Sequence, residues 1–201
     1  MIRSIRNLNV TKIICLIAAA GLAGCVSTAK HIESGETLEK AASVATDTIV
    51  FGKFRLVRNG QEIRLGEGIF ANSATLELQK SGSNGKIVGE VGRDGKFAWA
   101  LEPGSYRMSS IGFSFRGEKI ESPASFSFAV SSDHPASYVG TIALEATFDS
   151  GYHGTTGTVD RITVRNDCET DCEQRLTELG LPAGVATASL FHWEGQVAST
   201  N

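Results

Sequence analysis

The chain has 201 residues, with 22 acidic and 19 basic side chains and a formal net charge of −3. Nucleic acid is not expected as a partner, because its phosphates attract basic surfaces and this chain is mildly acidic. Glycine is frequent (22) and proline rare (4), and with plentiful threonine, serine and valine this composition favours β structure with many turns. The length is sufficient for one domain with a hydrophobic core.

The first 24 residues have the pattern of a secretory signal peptide. Arg3, Arg6 and Lys12 supply positive charge without an acidic residue, and the stretch 13–24 that follows carries no charge. This apolar run is shorter than the roughly 20 residues that a transmembrane helix needs, so we expect it to be cleaved rather than retained. Its removal takes away three positive charges and changes the formal net charge from −3 to −6.

The end of this segment contains Leu22, Ala23, Gly24 and Cys25. These residues resemble the Leu-Ala-Gly-Cys lipobox of bacterial lipoprotein signal peptides. The resemblance implies cleavage before Cys25, diacylation of its sulfur and attachment to a membrane, for which two or three acyl chains are sufficient. It also implies that an aspartate after the cysteine would favour the inner membrane. Val26 occupies that position, so the outer membrane, facing the periplasm, is the expected location.

Residues 25–47 are predicted to form a lipidated, flexible tether. They are mostly small and polar and lack large apolar side chains that would attach them to a core. A flexible chain of this length has an end-to-end distance of roughly 25 Å. The tether would therefore hold the folded part clear of the lipid headgroups.

Residues 48–148 are predicted to form an antiparallel β-sandwich. Short segments of aromatic and β-branched residues alternate with other residues, and turn sequences such as Asn59-Gly60 separate them. No helical stretches lie between these segments, so we expect no parallel βαβ units. Trp99 is in phase with Phe97 along one such segment and is therefore expected in the core.

The stretch 91–108 contains a regular spacing of apolar and turn residues. The residues that define this spacing are Val91, Asp94, Gly95, Phe97, Trp99, Leu101, Pro103, Gly104, Tyr106 and Met108. They resemble a motif of transthyretin-like, carboxypeptidase-regulatory-like domains, which implies an immunoglobulin-like or transthyretin-like sandwich without catalytic residues. Pro103-Gly104 is expected to form a tight turn, so that Phe97, Trp99, Tyr106 and Met108 fill one face of a hairpin.

Residues 149–201 are predicted to form a loop, an additional strand, a short helix and a tail, all packed on the sandwich. The loop is glycine-rich and polar, and residues 161–165 form the strand. Asp171 and Gln174 fit a capping box, and the helix ends at Gly180. We expect this helix at an end or edge of the sandwich, followed by a final strand within residues 184–192.

Cys168 and Cys172 are the only cysteines in the part of the sequence predicted to fold. Outside the cytoplasm such a close pair usually oxidises, and a disulfide is the preferred interpretation. Since a disulfide at this spacing fits poorly inside a regular helix, we expect Cys168 in the preceding loop. The alternatives are a metal pair, which would need two further ligands, and a redox site, for which C-x-x-C is the usual spacing.

The sequence contains no familiar catalytic motif and no ligand spacing that indicates a metal or cofactor. Patterns of serine hydrolases, zinc proteases and phosphate-binding loops are absent. We therefore expect a non-catalytic lipoprotein of the cell envelope that binds a protein partner or supports an envelope assembly, in part through the edges of its sheets.

Two other functions stay open from the sequence. A glycan or small-ligand binder would use exposed aromatic and polar side chains, with Trp193, Tyr152 and His153 as the candidate contacts and Tyr138 as a further aromatic. An envelope enzyme would have to use His153 with Asp149 and Asp160 in the glycine-rich loop, the best polar cluster in the chain. No other catalytic residues are predicted.

Overall fold

The computed structural model describes residues 26–33, 47–66, 72–115, 118–151 and 154–193. These residues form twelve strands and one helix. In chain order they are β1 (Val26–Ala29), β2 (Thr48–Arg58), β3 (Gln61–Ile63), β4 (Ser73–Lys80), β5 (Lys86–Glu90), β6 (Lys96–Leu101), β7 (Gly104–Phe115), β8 (Glu118–Val130), β9 (Ala136–Gly151), β10 (Gly154–Arg165), α1 (Cys168–Glu178), β11 (Ala186–Ala188) and β12 (His192–Trp193). The predicted mainly-β fold with one short helix near the C-terminus is therefore confirmed.

The strands form two sheets that enclose one large apolar core. The first sheet has the order β1-β5-β4-β7-β8-β12, and the second has the order β10-β9-β2-β3, with β6 paired to β2 and β11 paired to β9. Side chains from both sheets meet in the core, among them Trp99 and Leu144 of the second sheet and Leu76 and Met108 of the first. The arrangement is a β-sandwich.

The sheets are mixed, which differs from the antiparallel arrangement that we expected. Most pairings are antiparallel, but β2 pairs with β9, β1 with β5 and β11 with β9 in parallel. Parallel neighbours need a long connection between them. Here the connection between β2 and β9 includes β4, β5, β7 and β8 of the opposite sheet, so it is long enough without a helix.

The hairpin between β2 and β3 forms where the sequence predicts it. Arg58 pairs with Gln61, and the two residues between them have positive φ angles, 50° for Asn59 and 76° for Gly60. Both angles lie in the left-handed region, which glycine adopts freely and asparagine more readily than most residues. The local chemistry of this dipeptide therefore determines the register of the hairpin.

The predicted hairpin around Pro103-Gly104 is wrong in its pairing. β6 pairs with β2 in the second sheet, whereas β7 pairs with β4 and β8 in the first. The chain thus crosses from one sheet to the other at this point. The expected burial is nevertheless confirmed: Trp99 stacks on Phe97 with ring centroids 4.3 Å apart, and Tyr106 and Met108 enter the same core from the opposite side.

The region predicted as a glycine-rich loop is largely a long hairpin. β9 continues to Gly151 and β10 begins at Gly154, with Asp149 opposite Thr156. The strand predicted for residues 161–165 is the second half of β10, and Ile162 packs against the core as expected. Threonine is β-branched and fits a strand whose outer face is solvated, so a polar sequence here does not prevent strand formation.

Part of the predicted tether also belongs to the sandwich. β1 pairs in parallel with β5, from Val26 opposite Lys86 to Ala29 opposite Gly89. Beyond β1, the N–H of Ile32 donates to the carbonyl oxygen of Ala98 at 2.9 Å. Main-chain pairing does not require large side chains, so the small residues of this stretch did not reveal it. Residues 34–46 of the predicted tether lie outside the described residues.

The helix α1 begins earlier and lies elsewhere than predicted. It starts at Cys168 after Asp167, whose side chain makes no capping hydrogen bond, and Asp171 is inside the helix rather than at its cap. The end is as expected, with Gly180 at φ 71°. α1 covers the outer face of the second sheet, not an end or edge of the sandwich, because an apolar patch on that face requires cover.

The last described segment joins the two sheets. The predicted final strand is divided into β11, which pairs with β9 of the second sheet, and β12, which pairs with β8 of the first. Between them Phe191 is buried and packs edge-on against Phe128, with ring centroids 4.9 Å apart. The segment therefore closes one side of the sandwich.

The burial of Ile32 provides a test of the revised N-terminal region. Ile32 is only 7% exposed, so Ile32→Ala is expected to lower the free energy of unfolding by about 2 to 4 kcal/mol through lost burial and the cavity left behind. Urea denaturation measures this loss. Val26→Ala, at a side chain that is 65% exposed, is the control and should change stability by less than about 0.5 kcal/mol. Equal stability of both variants would contradict the packing of Ile32 on the sandwich and would support the predicted flexible tether instead.

Candidate functional site

The residues predicted to contact a ligand are only in part described. Cys25, Tyr152 and His153 lie outside the described residues, and the backbone of Trp193 pairs with Phe126 in β12. Tyr138, expected to be exposed, is only 2% exposed. Its ring packs on Phe51 and its hydroxyl accepts a hydrogen bond from the backbone N–H of Asp167 at 3.3 Å. Tyr138 therefore belongs to the apolar layer under α1 and is not a surface platform.

The two acidic members of the proposed catalytic cluster lie on the exposed outer face of the β9–β10 hairpin. Asp160 accepts a hydrogen bond from the Thr147 hydroxyl at 2.8 Å, and Asp149 lies opposite Thr156. Among the residues that the structure describes, no group of three or more His, Cys, Asp or Glu side chains is placed to hold a metal ion. Because His153 is not described, the cluster itself stays a prediction.

The Cys168–Cys172 pair forms a disulfide, as the spacing indicates. Cys168 is the first residue of α1 and not part of the preceding loop, so this detail of the prediction is wrong. The N–H groups of a first helical turn have no partners within the helix, which leaves that turn freer to adapt to the cross-link. Cys172 is buried against the second sheet. The disulfide therefore joins the start of α1 to the part of the helix that packs.

A second apolar cluster lies between α1 and the outer face of the second sheet. Its buried members are Ile32, Ile49, Phe51, Ala98, Ala136, Tyr138, Cys172, Leu176, Leu179 and Leu181. Cys172 and Leu176 of α1 and Leu179, which follows its last residue, form one stripe, as expected for a helix that packs by one face. Arg175 lies on the same side of the helix and is buried with it.

Arg175 belongs to a compact ionic group at the edge of this cluster. Its Nη1 donates to Glu178 Oε2 at 2.9 Å, and Lys96 Nζ donates to both oxygens of Glu178, each at 2.9 Å. Partial burial raises the pKa of the Glu178 carboxyl, but the hydrogen bonds from Lys96 and Arg175 outweigh this effect and lower the pKa to about 2. Glu178 is therefore ionised at neutral pH and holds α1 to β6.

A cleft of about 180 Å³ opens beside this ionic group, between α1 and the sheet. Phe51 and Tyr138 form its apolar wall, and Lys53, Lys96, Gln174 and Arg175 supply its polar groups. Of these residues only Tyr138 was predicted as a ligand contact, and the others were not expected to form a site. One feature of the sequence could have indicated the cleft. Arg175 is a charged residue one turn from Cys172 and Leu179, on a helical stripe that is otherwise apolar.

The sheet edges are the other exposed feature that can bind a partner. Within the described ranges, β10 pairs only with β9, and the first part of β8 only with β7. β8 carries Pro123, which has no N–H to donate, beside Glu121 and Lys119. Proline and charged residues are typical protection against strand pairing. β10 contains no proline and is rich in threonine, so its edge is the more accessible of the two.

The comparisons with known proteins do not identify a family. No family model matches the chain, and no curated protein matches its sequence. The crystal structure of a proposed cell adhesion protein from Bacteroides uniformis ATCC 8492 matches 58% of this chain and 50% of that chain, at 10% identity and a TM-score of 0.29. The match thus spans half the length of that protein. A TM-score this low does not support an assignment of fold family or function. The immunoglobulin-like or transthyretin-like identity of the sandwich therefore stays a prediction.

The ionic group predicts how stability depends on pH. Because the pKa of Glu178 falls from 4.5 to about 2 on folding, its carboxylate stabilises the folded state above pH 4.5, and this contribution is lost as the pH falls through about 2. Glu178→Gln is therefore expected to lower the free energy of unfolding at pH 7, and this difference should become small as the pH approaches 2. Urea denaturation across this range measures the difference.

The matched control for this experiment is Glu102→Gln. Glu102 pairs with Lys80 at 2.6 Å but is largely exposed, so water screens the pair and the change in stability should be much smaller. Equal losses in both variants, or a deficit of Glu178→Gln that is as large at pH 2 as at pH 7, would contradict the role assigned to Glu178.

Proposed function

We propose that this protein is a lipid-anchored, non-catalytic component of a bacterial cell envelope that binds a protein partner through the edge strand β10. The anchor is the acylated Cys25 implied by the Leu22–Cys25 motif, with the outer membrane, facing the periplasm, as the location. The partner binding rests on one observation: a strand of 12 residues has a hydrogen-bonding edge with no neighbour among the described strands.

An edge strand of this kind can receive an extended peptide as an additional strand. The backbone groups supply the affinity and the alternating side chains the specificity. Among the residues of β10 whose side chains are described, Thr158, Asp160, Arg161 and Arg165 are exposed, so the rim carries charges of both signs. A bulge between Val159 and Arg161 interrupts the regular pairing with β9, which divides the edge into two shorter segments that can be tested separately.

The fold also affects the form of the proposed anchor. β1 begins at Val26, the residue after Cys25, and pairs with β5 at once. An acyl chain on Cys25 would therefore attach directly to the sandwich instead of to a tether. No helix in the described part of the chain is long and apolar enough to cross a membrane.

The alternative of a glycan or small-ligand binder is weakened because Tyr138 is buried. It retains Trp193, Tyr152 and His153 as predicted contacts. No observation supports the alternative of an envelope enzyme. Asp160, one of its candidate residues, accepts a hydrogen bond from Thr147 on an open sheet face.

Replacement of the proposed lipidation site tests the anchor. Cys25→Ser is expected to abolish acylation, so that the protein moves from the membrane pellet to the soluble fraction and loses the mass of the acyl chains. Fractionation and intact-mass spectrometry of the protein from its own cells measure both. A double variant with Cys168→Ser and Cys172→Ser is the control and should stay in the membrane. A wild-type protein that begins with Met1 and lacks acyl chains would refute the proposal.

Site-specific photo-cross-linking in intact cells tests the edge of β10. A photoreactive residue at Thr158 or Arg165 is expected to cross-link to one and the same partner, and the cross-link should disappear when β10 is altered. Arg107 and Gln79, which are exposed on the first sheet, provide control positions that should not cross-link to this partner. Cross-linking that is equal at all four positions, or absent at the two β10 positions, would contradict partner binding through β10.

A further inference from the structure

Two hydrogen-bond donors of Arg175 are buried without a partner. The residue is only 6% exposed, and although Nη1 is bound to Glu178, Nε and Nη2 have no hydrogen-bond partner in the described part of the chain. Nearly all buried polar groups in folded proteins are hydrogen-bonded. A buried donor without a partner costs about 1 to 3 kcal/mol, and more when it belongs to a charged group. The two donors of Arg175 therefore lack the acceptor that buried groups of this kind normally have.

The two free donors have the geometry that recognises a carboxylate. Nε and Nη2 lie on the same edge of the planar guanidinium, and their N–H bonds point in parallel. Two parallel donors match the two oxygens of one carboxylate and form a bidentate pair. A lysine or a single amide would not offer this match. The edge of Arg175 that carries Nε and Nη2 thus favours a ligand group with the charge and the shape of a carboxylate.

The surrounding cleft supplies a second positive charge and an apolar wall. The Lys96 ammonium is already bound to Glu178, but the Lys53 ammonium makes no ion pair or side-chain hydrogen bond within the described residues. Three cations therefore line the cleft, and the Glu178 carboxylate lies beside it, bound to Lys96 and Arg175, which leaves an excess of positive charge. Phe51 and Tyr138 offer aromatic surface beside it. The Glu178 carboxylate favours a ligand with one negative charge over a dianion such as phosphate, because a second charge would increase the repulsion.

We propose that the cleft between α1 and the second sheet binds a small monocarboxylic acid. The carboxylate pairs with Nε and Nη2 of Arg175, Lys53 supplies the second charge, and the apolar part of the ligand rests on Phe51 and Tyr138. Both donor atoms are shielded from solvent, so binding includes a local movement of the side chains that cover the guanidinium. This site is independent of the proposed membrane anchor and of the edge of β10.

The test follows the Nε–H resonance of Arg175 in the full-length, ¹⁵N-labelled protein during titration with sodium benzoate at constant ionic strength. We expect a saturable shift of this resonance, while sodium chloride leaves it in place. Acetate, which lacks the ring, should give the same shift with lower affinity, and phosphate should bind more weakly than benzoate. No saturable shift, or a shift that chloride reproduces, would overturn the proposal. Tighter binding of phosphate would overturn the assignment to a monocarboxylate.

Three variants connect the response to this cleft. Arg175→Lys identifies the resonance and should abolish the bidentate response. Lys53→Gln keeps the guanidinium intact and should weaken benzoate binding roughly fivefold, the effect of losing one half-exposed charge. Arg107→Lys, an exposed arginine on the first sheet, should bind like the original protein. If Arg175→Lys does not fold, Lys53→Gln decides the question, and unchanged affinity in that variant would refute the cleft as the site.

Discussion

The apolar outer face of the second sheet is the constraint on which the rest of the structure depends. A sheet in a sandwich commonly buries one face and leaves the other to water. Here the central strands are buried on both sides: Trp99 of β6 faces the main core, while its neighbour Ala98 faces outward and is equally inaccessible. Ile49 and Phe51 make the same outward surface apolar on β2. Without a cover, this surface would lie exposed in a contiguous patch, which isolated soluble domains rarely tolerate.

The cover comes from segments on both sides of the strand-rich region. Ile32 arrives from the N-terminal side, and α1 with Leu181 arrives from the C-terminal side. The disulfide stabilises the folded state by about 2 kcal/mol, because it lowers the entropy of the unfolded chain by closing a short loop. It also stiffens the helix that carries Cys172 and Leu176. Covering a sheet with a single short helix also brings polar groups into the interface, because α1 is only three turns long. Arg175 is one such group, and its burial creates the ionic group with Glu178 and Lys96.

Local signals in the sequence predicted the elements well, and long-range pairing is where prediction failed. Asn59-Gly60 determines its hairpin through backbone angles that few other dipeptides adopt, so it could be predicted from two residues. By contrast, Pro103-Gly104 predicts a turn but not the strands that the turn joins, and the chain there crosses between sheets. β1 carried no signal, because parallel pairing with β5 uses main-chain groups. The cleft could not be predicted from local sequence either, because Lys53 and Arg175 line it only when α1 packs on the outer face of the second sheet.

The sheet order places the two proposed contact regions on opposite sides of the sandwich. β1 is one edge of the first sheet, and β8 is the last long strand at the other, four strand spacings or about 19 Å away. β10 contacts β8 across the sandwich, whereas β1 contacts β6. An acyl chain joined to β1 would therefore hold the membrane at one edge and leave the edge of β10 on the far side. Attachment through a strand instead of a tether would also limit the orientations in which that edge meets a partner.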